Sequence, residues 1–517
     1  MHVKLFRYLI WGVLLIGILL RYTEYAVAPS LNYDEVITAR KIARVPLSEL
    51  THFKKAAYET MHAYPVVFLS LIKWAGRWPV ADEYSLRFFP LLFSVLSLFI
   101  FASLTKKFLS PPWQISALLL FSLAPTLVAS SFRLKPISGD IFFSLMGILI
   151  LMSLADKDPS PRTKAGLILI GLTAVFSSFT AIFVLAAGTP VVLIWHALER
   201  NRRKFLSGLT VGSIWLAGIA FYYLISLRYF KTDPGLKGYW SAYFLPLTDG
   251  MIPSLKWLVG IFHFFFRKFL LVSPGLASVL ALVGIFQLFR KDRRRGAILS
   301  APVVLMLLLS ALKLYPFGDR TTFFLVPVFM LLVVKGVETL RWPKRPGLSR
   351  ALRLFVMGVV LTPPLLISTR QFMLMPAGED IRPILRAVNR NRREGDLMAV
   401  FYGAGPAYEY YAPRLGLPAE NFWIHPYHLK EFRQQIQQRS TPEGPLRVWL
   451  IFTHIKHLTL KDTIETNELS YILWELNHGG EKRAEFVITI KPGQTPGYYE
   501  NNVSAAAYLY EFGSSSP

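Results

Sequence analysis

A stretch of 34 residues without a charged side chain covers residues 165–198 and has the sequence AGLILIGLTAVFSSFTAIFVLAAGTPVVLIWHAL. A helix that crosses a bilayer needs about 17–25 residues, so this stretch is too long for one crossing and short for two. Both ends are basic, with Arg162 and Lys164 before the stretch and the cluster RNRRK at residues 200–204 after it. Because basic residues collect on the cytoplasmic side, we predict a hairpin of two membrane helices that turns near Ser177 and Ser178.

Nine further apolar runs fit one crossing each, provided that charged residues at their ends extend toward the interface. They lie between residues 7 and 21, 87 and 106, 107 and 133, 140 and 156, 204 and 228, 268 and 290, 295 and 313, 320 and 335, and 353 and 370. With the hairpin, the predicted number of membrane helices is about eleven. The predicted fold class is therefore a mainly α-helical, polytopic membrane protein.

Composition agrees with this class, since 53% of the 517 residues are hydrophobic and only 17% are charged, against about 25% charged in soluble domains. The chain has no cysteine, which excludes a cysteine nucleophile, an iron–sulfur cluster and a zinc site with cysteine ligands. Residues 370–517 contain 16 basic and 16 acidic side chains, so 41 of the 57 basic residues lie in residues 1–369. The excess positive charge accompanies the apolar runs and indicates cytoplasmic loops, not a surface that binds nucleic acid.

An odd number of crossings places the two termini on opposite sides of the membrane. We predict that the N-terminus and the basic clusters at residues 4–7, 106–107, 162–164, 200–204, 290–295 and 335–353 are cytoplasmic, in a multi-pass protein of the cytoplasmic membrane. The other side then receives residues 21–86, 130–140, 228–268, 315–320 and the segment after residue 370. Two apolar stretches on that side, 64–72 and 257–266, are too short to cross and are predicted to lie at the interface.

Residues 370–517 alternate between helical and strand patterns separated by turn residues, which predicts an extracytoplasmic α/β domain. We expect helices at 380–393 and 426–438, and strands at 396–402, 447–452, 486–490 and 505–512. The predicted domains are a transmembrane domain, residues 1–369, with its first external loop at 21–86, and a C-terminal domain, residues 370–517.

Two adjacent carboxylates, Asp34 and Glu35, follow the first predicted membrane helix. Carboxylates at a membrane boundary lose hydration and need a compensating role. One interpretation is structural, because the helix dipole stabilises acidic residues in a first turn. The other is chemical, because a carboxylate can accept a proton during a reaction. The spacing alone leaves both interpretations open.

Four cations lie near helix ends on the predicted external side, namely Arg87, Arg133, Lys135 and Arg320. Each can be explained by extension along lipid toward the interface. Basic residues are usually found on the cytoplasmic side, however, so some of these external cations should bind a fixed anion. A lipid phosphate is such an anion. The segment YPFGDR at residues 315–320 combines a turn with an aromatic residue and a guanidinium, and Asp319 within it can pair with a nearby cation.

Histidines raise the alternative of a metal site. His52 and His62 lie in the same loop as Asp34, so carboxylate and imidazole groups there suit a divalent cation. The sequence has neither an HExxH motif nor a closely spaced set of ligands. We therefore favour a site without a resident metal ion.

Together these segments resemble the GT-C superfamily of polyprenyl-phosphate-sugar glycosyltransferases, in the branch of protein O-mannosyltransferase-like (family 39) and aminoarabinose-transferase-like proteins. Asp34-Glu35 resembles the acidic motif of that family's first external loop, and KPISGD at residues 135–140 is similar to its K-x-Y-S-x-D motif. Residues 83–90, 315–327, 380–383, 395–396 and 447–449 resemble further family segments, so the resemblance runs nearly end to end. The chain departs from the family pattern at Ile137, where many members have tyrosine, and at residues 62–65.

The resemblance implies an enzyme that transfers a hexosyl or pentosyl group from a polyprenyl-phosphate donor to a lipid, glycan or protein acceptor on the external membrane face. Phosphate is a good leaving group, so one base for the acceptor and cations for the phosphate suffice, and direct displacement inverts the anomeric centre. Asp34 is then the predicted base, supported by Glu35. The predicted phosphate-binding residues are Arg320, Arg133, Lys135 and Arg87, and the further site candidates are Asp140, Tyr315 and His62.

Two alternatives belong to other functional classes. A lipid or glycan transporter or flippase would use the same charges for translocation, but transporters tend to have repeated halves and charges near mid-membrane. The candidate charges here cluster on one predicted face instead. A non-catalytic assembly protein would keep the fold and lose the reaction, and only the effect of replacing Asp34 separates it from an enzyme.

Overall fold

The computed structural model describes residues 3–27, 29–46, 64–226, 228, 238, 240–341, 346–374, 379–418, 422–439, 444–455, 457–460, 464–477, 480–489 and 503–512. The chain forms two compact units. The first, called the membrane unit below, contains Met1–Ala26 and Val45–Thr369. The second, called the C-terminal unit, contains Arg370–Pro517 and also Val27–Arg44. Residues 27–44, assigned from sequence to a loop of the transmembrane domain, thus pack with the C-terminal unit.

Twenty α-helices are described in the ranges given above. In chain order they are α1 (Val3–Val27), α2 (Tyr33–Arg44), α3 (Val66–Ala75), α4 (Asp82–Ser85), α5 (Phe88–Phe108), α6 (Pro111–Leu123), α7 (Pro125–Ser130), α8 (Ile137–Asp156), α9 (Pro161–Ser177), α10 (Phe179–Leu198), α11 (Arg202–Ile225), α12 (Met251–Phe265), α13 (Pro274–Lys291), α14 (Arg293–Ala311), α15 (Val326–Thr339), α16 (Pro346–Leu374), α17 (Ile381–Asn391), α18 (Gly405–Tyr411), α19 (Leu429–Arg439) and α20 (Glu468–Leu476).

Nine segments within the described part of the chain are long and apolar enough to cross a membrane. They contain α1, α5, α8, α10, α11, α13, α14, α15 and α16. The remaining two of the eleven predicted crossings correspond to α9, which has 17 residues, and to the pair α6 and α7. The polytopic helical fold class is therefore confirmed. The short helices α3 and α12, with 10 and 15 residues, cover the two stretches that were predicted to be too short to cross.

The predicted hairpin is confirmed. Helix α9 ends at Ser177 and α10 begins at Phe179, with Ser178 between them in an extended conformation. The Ser178 hydroxyl accepts a hydrogen bond from the Ala181 N–H at 3.2 Å and so caps the N-terminus of α10. The capping serine lies at the centre of the apolar stretch. It allows a second helix to begin there, although the composition of the stretch is uniform.

The run between residues 107 and 133 was predicted as one crossing, and the structure divides it into α6 and α7. Pro125 has no N–H to donate, so the carbonyl groups of residues 121–123 lose helical partners. The Arg21 side chain of α1 donates to the carbonyls of Ser122 and Phe121 at 3.2 and 3.4 Å, and the Ser368 hydroxyl donates to that of Leu123. Side chains from α1 and α16 thus satisfy the broken backbone inside the helix bundle.

One end of the membrane unit brings together basic clusters that are far apart in sequence. Asp156, at the end of α8, pairs with Arg294 at 2.9 Å and with Lys107 at 3.4 Å, and its backbone carbonyl accepts from Lys204 at 3.3 Å. These cations belong to three of the clusters that were predicted to share the cytoplasmic side. Their common partner places them at one end of the bundle.

The C-terminal unit is built on a five-stranded mixed sheet. Its strands are β1 (Leu397–Phe401), β2 (Phe422–Ile424), β3 (Leu446–Thr453), β6 (Glu481–Thr489) and β7 (Val503–Phe512), in the order β2-β1-β3-β7-β6. Strand β1 is parallel to β2 and β3, whereas β7 is antiparallel to β3 and β6. A separate hairpin pairs β4 (His457–Leu460) with β5 (Ile464–Asn467).

The expected strands at 396–402, 447–452, 486–490 and 505–512 correspond to β1, β3, β6 and β7, and the two expected helices to α17 and α19. The sequence analysis missed β2, the hairpin of β4 and β5, and the helices α18 and α20. Strand β2 has only three residues, too few for an alternating pattern to be recognised.

Candidate active site

Glu35 has a structural role in the first turn of α2. Its carboxylate accepts a hydrogen bond from the Asn32 N–H at 3.0 Å, and its own N–H donates to the Asn32 side-chain oxygen at 3.0 Å. This reciprocal pair is a capping box, which satisfies two N–H groups at a helix start. Glu35 is 1% exposed. The capping geometry is sufficient reason for an acidic residue at this position.

Asp34 precedes Glu35 on the first turn of α2 and is half-buried. The turn before it is fixed within the C-terminal unit, because the Leu31 N–H donates to the Tyr411 hydroxyl at 2.8 Å. The Ser30 hydroxyl and N–H also donate to the Asp380 carboxylate. Burial, followed by the negative charges of Asp34 and Glu379, raises the pKa of Tyr33. The carboxylate of Asp34 is thus held on a rigid segment of this unit.

Asp140 lies in the first turn of α8, at the end of that helix opposite Asp156. Its carboxylate accepts a hydrogen bond from the Ser178 hydroxyl at 2.5 Å. Since the Ser178 oxygen already accepts from a backbone N–H, its single proton is committed to Asp140. Thr180 donates to the Asp140 backbone carbonyl at 3.4 Å and lies 3.1 Å from the Ser178 hydroxyl. The hairpin turn therefore fixes one oxygen of Asp140 as an acceptor.

Tyr315 lies close to Asp140 in the loop after α14. Burial raises the pKa of Tyr315 above its ordinary range, the charge of Asp140 adds to this effect, and the charge of Arg320 opposes it. The ring of Tyr315 packs edge-on against Phe183 of α10, with centroids 4.8 Å apart. Asp140 and Arg320 thus both act on Tyr315, although 180 residues separate them in the chain.

Arg320 itself is exposed, and its guanidinium lies 5.4 Å from the centroid of the Trp240 ring. An aromatic face holds a guanidinium in place without neutralising its charge. The neighbouring Asp319 instead pairs with Lys268, as expected for this carboxylate. Asp319 has a φ of 48°, an uncommon conformation for a residue with a side chain. The turn thus directs the acid toward a protein partner and leaves the arginine accessible.

The other predicted phosphate-binding residues differ in exposure. Arg87 is 2% exposed and lies 5.5 Å from the centroid of the Phe132 ring, so its guanidinium is enclosed by protein and does not extend toward lipid. Arg133 is half-buried and interacts electrostatically with Glu24 of α1. Lys135 is half-buried on the same loop. Glu24 was not predicted from the sequence as a site residue, and Ser178 was predicted only as the turn of the hairpin.

The predicted site residues are divided between the two units. Asp34 and Glu35 belong to the C-terminal unit, and Arg87, Arg133, Lys135, Asp140, Tyr315 and Arg320 belong to the membrane unit. His52 and His62 lie outside the described residues. Among the residues that are described, no group of three or more histidine or acidic side chains could hold a metal ion.

The chain is similar in fold to solved polytopic membrane proteins. Over 98% of this chain and 97% of the other, the fold is similar to ArnT from Cupriavidus metallidurans bound to undecaprenyl phosphate, with a TM-score of 0.50 and 11% sequence identity. An oligosaccharyltransferase from Archaeoglobus fulgidus, in complex with zinc and sulfate, matches with a TM-score of 0.48 and 12% identity. The match covers 80% of this chain and 62% of the archaeal protein, so this chain spans less than two thirds of it.

Sequence comparison adds no relative to these structures. No protein-family model matches the sequence, and no curated protein matches it. At 11% identity, the likeness to ArnT shows the fold alone.

Proposed function

We propose that the protein is an inverting membrane glycosyltransferase that transfers a sugar from a polyprenyl-phosphate donor to a lipid, glycan or protein acceptor. The observation that carries this proposal is the group of Asp140, Tyr315 and exposed Arg320 at one end of a GT-C helix bundle. A cation held on an aromatic face beside buried polar groups suits the phosphate of a lipid. The similarity in fold to a protein bound to undecaprenyl phosphate supports this choice of donor.

In this proposal the cations of the membrane unit bind the departing phosphate. Arg320 has the leading role, because a guanidinium can bind two phosphate oxygens and keeps its charge at any relevant pH. Arg133, Lys135 and Arg87 are secondary candidates, and the burial of Arg87 gives it the smallest direct share. Asp140 and Tyr315 belong to the same group of side chains as Arg320, and in this proposal they position the reacting sugar.

Asp34 is the proposed general base for the acceptor hydroxyl. Glu35 supports it indirectly by capping the helix on which Asp34 lies. Asp34 is half-buried in the first turn of α2, where its carboxylate can take the proton of the acceptor hydroxyl. His62 remains a site candidate on the basis of the sequence.

The deciding experiment is a transfer assay on purified protein with a synthetic polyprenyl-phosphate sugar and cell-envelope acceptors. Asp34→Asn should lower kcat by about 10²–10⁴-fold while donor binding survives. Arg320→Ala should weaken donor binding, and Arg320→Lys should do so to a smaller extent. Glu394→Gln, an exposed carboxylate of the C-terminal unit, is the matched control and should have no effect.

The outcomes separate the alternatives. Normal turnover in Asp34→Asn together with collapse in Asp140→Asn would transfer the role of base to Asp140. Movement of the donor lipid across a membrane without sugar transfer would favour a flippase. Unchanged donor affinity in Arg320→Ala would leave Arg320 as an interfacial residue only.

The sidedness of the reaction is also part of the proposal. We place the C-terminal unit outside the cytoplasm because the predicted number of crossings is odd and residues 370–517 carry no net charge. Alkaline phosphatase fused after Ser368 should be active, and a fusion after Lys344 should be inactive. The reverse pattern would place the reaction on the cytoplasmic face.

A further inference from the structure

The C-terminal unit has a second group of polar and aromatic side chains at one edge of its sheet. Strands β2, β1 and β3 are parallel and end at the same edge, and the residues that follow them are His425, Tyr402 and His454. In the strand order β2-β1-β3, the connection from β1 leads to β2 on one side of β1, and the connection from β2 leads to β3 on the other side. A topological switch point therefore lies between β1 and β3. Open α/β sheets bind their ligands at the carboxyl ends of the strands at such a point.

His454 is oriented by a buried carboxylate. Its Nδ1 lies 2.6 Å from Oε1 of Glu379, which is 4% exposed. The other oxygen of Glu379 accepts the Tyr33 N–H at 2.8 Å. With both carboxylate oxygens occupied as acceptors, Nδ1 carries the proton and the ring presents Nε2. Within the described residues, Nε2 makes no hydrogen bond.

The backbone of His454 has a φ of 54°, in the left-handed region. Such a conformation is unfavourable for a residue with a side chain and is found preferentially at functional sites. It turns the chain at the end of β3 and brings the imidazole against Tyr33. The two rings are stacked, with centroids 4.5 Å apart and planes inclined by 12°.

The end of β1 supplies the second half of the group. The Tyr402 hydroxyl donates to Oε1 of Glu468 at 2.6 Å, and the His425 ring lies 4.5 Å from the Tyr402 ring. Burial, the hydrogen bond to Glu468 and the charge of Glu468, with a smaller effect of Tyr33, raise the pKa of Tyr402. The two halves on either side of the switch point are therefore close enough to interact.

We infer that this edge, defined by Tyr33, His454, Glu379, Tyr402, Glu468 and His425, is a binding site for an unphosphorylated saccharide. A sugar hydroxyl group can donate to Nε2 of His454, and the apolar faces of a sugar ring pack on aromatic rings. Glu379, Glu468 and the nearby Asp34 give the edge an acidic character that disfavours a phosphate. The site lies within the C-terminal unit and does not depend on sugar transfer.

The test measures binding by saturation-transfer-difference NMR on the full-length protein in phosphatidylcholine nanodiscs, without donor lipid. The probes are neutral hexoses and pentoses, an amino sugar and a hexose phosphate. Unphosphorylated sugars should receive saturation and the hexose phosphate should not. His454→Asn should weaken the binding about tenfold, the effect of about one lost hydrogen bond.

Asparagine is the chosen replacement because it tolerates the left-handed backbone and removes Nε2, so the variant keeps the local fold. Glu379→Gln is the second variant, since it weakens the orientation of His454, and it should also reduce binding. His263→Ala, an exposed histidine of the membrane unit, is the control and should bind like the unaltered protein.

The inference is wrong if no unphosphorylated sugar receives saturation, if the hexose phosphate alone binds, or if both His454→Asn and Glu379→Gln bind like the control. Because the assay contains no donor, a failure of the proposed transfer activity leaves its result unaffected.

Discussion

Two arginines, one in each unit, are held in place by different means. In the membrane unit, Arg21 is 0% exposed and donates only to neutral oxygens among the described residues, those of Ser94, Gly17, Ser122 and Phe121. Arg21 serves a backbone that is broken, because lipid offers no water to replace a lost helical hydrogen bond.

In the C-terminal unit, the half-buried Arg447 meets charges of opposite sign. Arg447 on β3 lies between Asp396, at 2.7 Å, and Glu511 on β7, at 3.1 Å, and Glu511 also pairs with Arg483 at 2.8 Å. The sheet satisfies its own backbone, so side chains are free to pair across strands. Arg21 therefore marks a broken helix, whereas Arg447 marks the pairing of neighbouring strands.

The largest expected effect follows from removing Arg21. Arg21→Met should destabilise the membrane unit by about 3–5 kcal/mol, because buried carbonyl groups lose their donor. Thermal unfolding of the purified protein in detergent would measure it. Arg7→Met, on the exposed face of the same helix, is the control and should change stability little. Equal stability of the two variants would contradict the role assigned to Arg21.

Asp396→Asn should have the next largest effect, about 2–3 kcal/mol on the C-terminal unit, because four hydrogen bonds to a charged carboxylate are weakened. Hydrogen exchange of the β3 amides, followed by mass spectrometry, would report it. Glu394→Gln serves again as the neighbouring control. If the β3 amides kept their protection and only the membrane unit lost protection, this assignment would be wrong.

The same carboxylate predicts a pH dependence. Burial by itself would raise the pKa of Asp396, but hydrogen bonds from Arg447, the Arg393 N–H and Trp449 outweigh it and lower the pKa below its ordinary value. A folded-state pKa below the unfolded one adds stability that is present above about pH 4 and is lost as the pH falls through the folded value. The protection of the β3 amides from hydrogen exchange should therefore decrease as the pH is lowered through about 4. The decrease should be less steep in Asp396→Asn.

A smaller effect on stability is expected for Ser178→Ala, about 1 kcal/mol from loss of the α10 cap. Ser160→Ala removes the equivalent cap of α9 without contact to Asp140, and should cost a similar amount. Only Ser178→Ala should also reduce sugar transfer, because it frees Asp140. If both variants transfer sugar normally, Ser178 acts as a helix cap alone.

The smallest effect is expected for Glu35→Gln. Glutamine keeps an oxygen that can accept the Asn32 N–H, so the capping box survives and turnover should stay within a few-fold of normal. Glu35→Ala should lose about 1 kcal/mol from the C-terminal unit. A collapse of turnover in Glu35→Gln with an intact fold would make Glu35 the base.

The membrane helices and most of the sheet follow from local patterns in the sequence. Run length and alternation are local properties, so the hairpin at Ser177 and Ser178 and the strands β1, β3 and β7 could be predicted without knowing any contact. Pro125 is a local signal for a helix break, since proline removes a helical donor. The break was nevertheless not predicted, because the apolar run continues on both sides of Pro125.

Which residues meet depends on the tertiary structure. No local pattern shows that residues 27–44 pack with the C-terminal unit, that Arg21 satisfies a helix broken 100 residues later, or that Asp140 and Arg320 both act on Tyr315. The same holds for Tyr33 and His454 at the edge of the sheet. The physical reason is that apolar periodicity fixes which face of an element is buried, whereas the partner of that face depends on how distant segments pack and pair their polar groups.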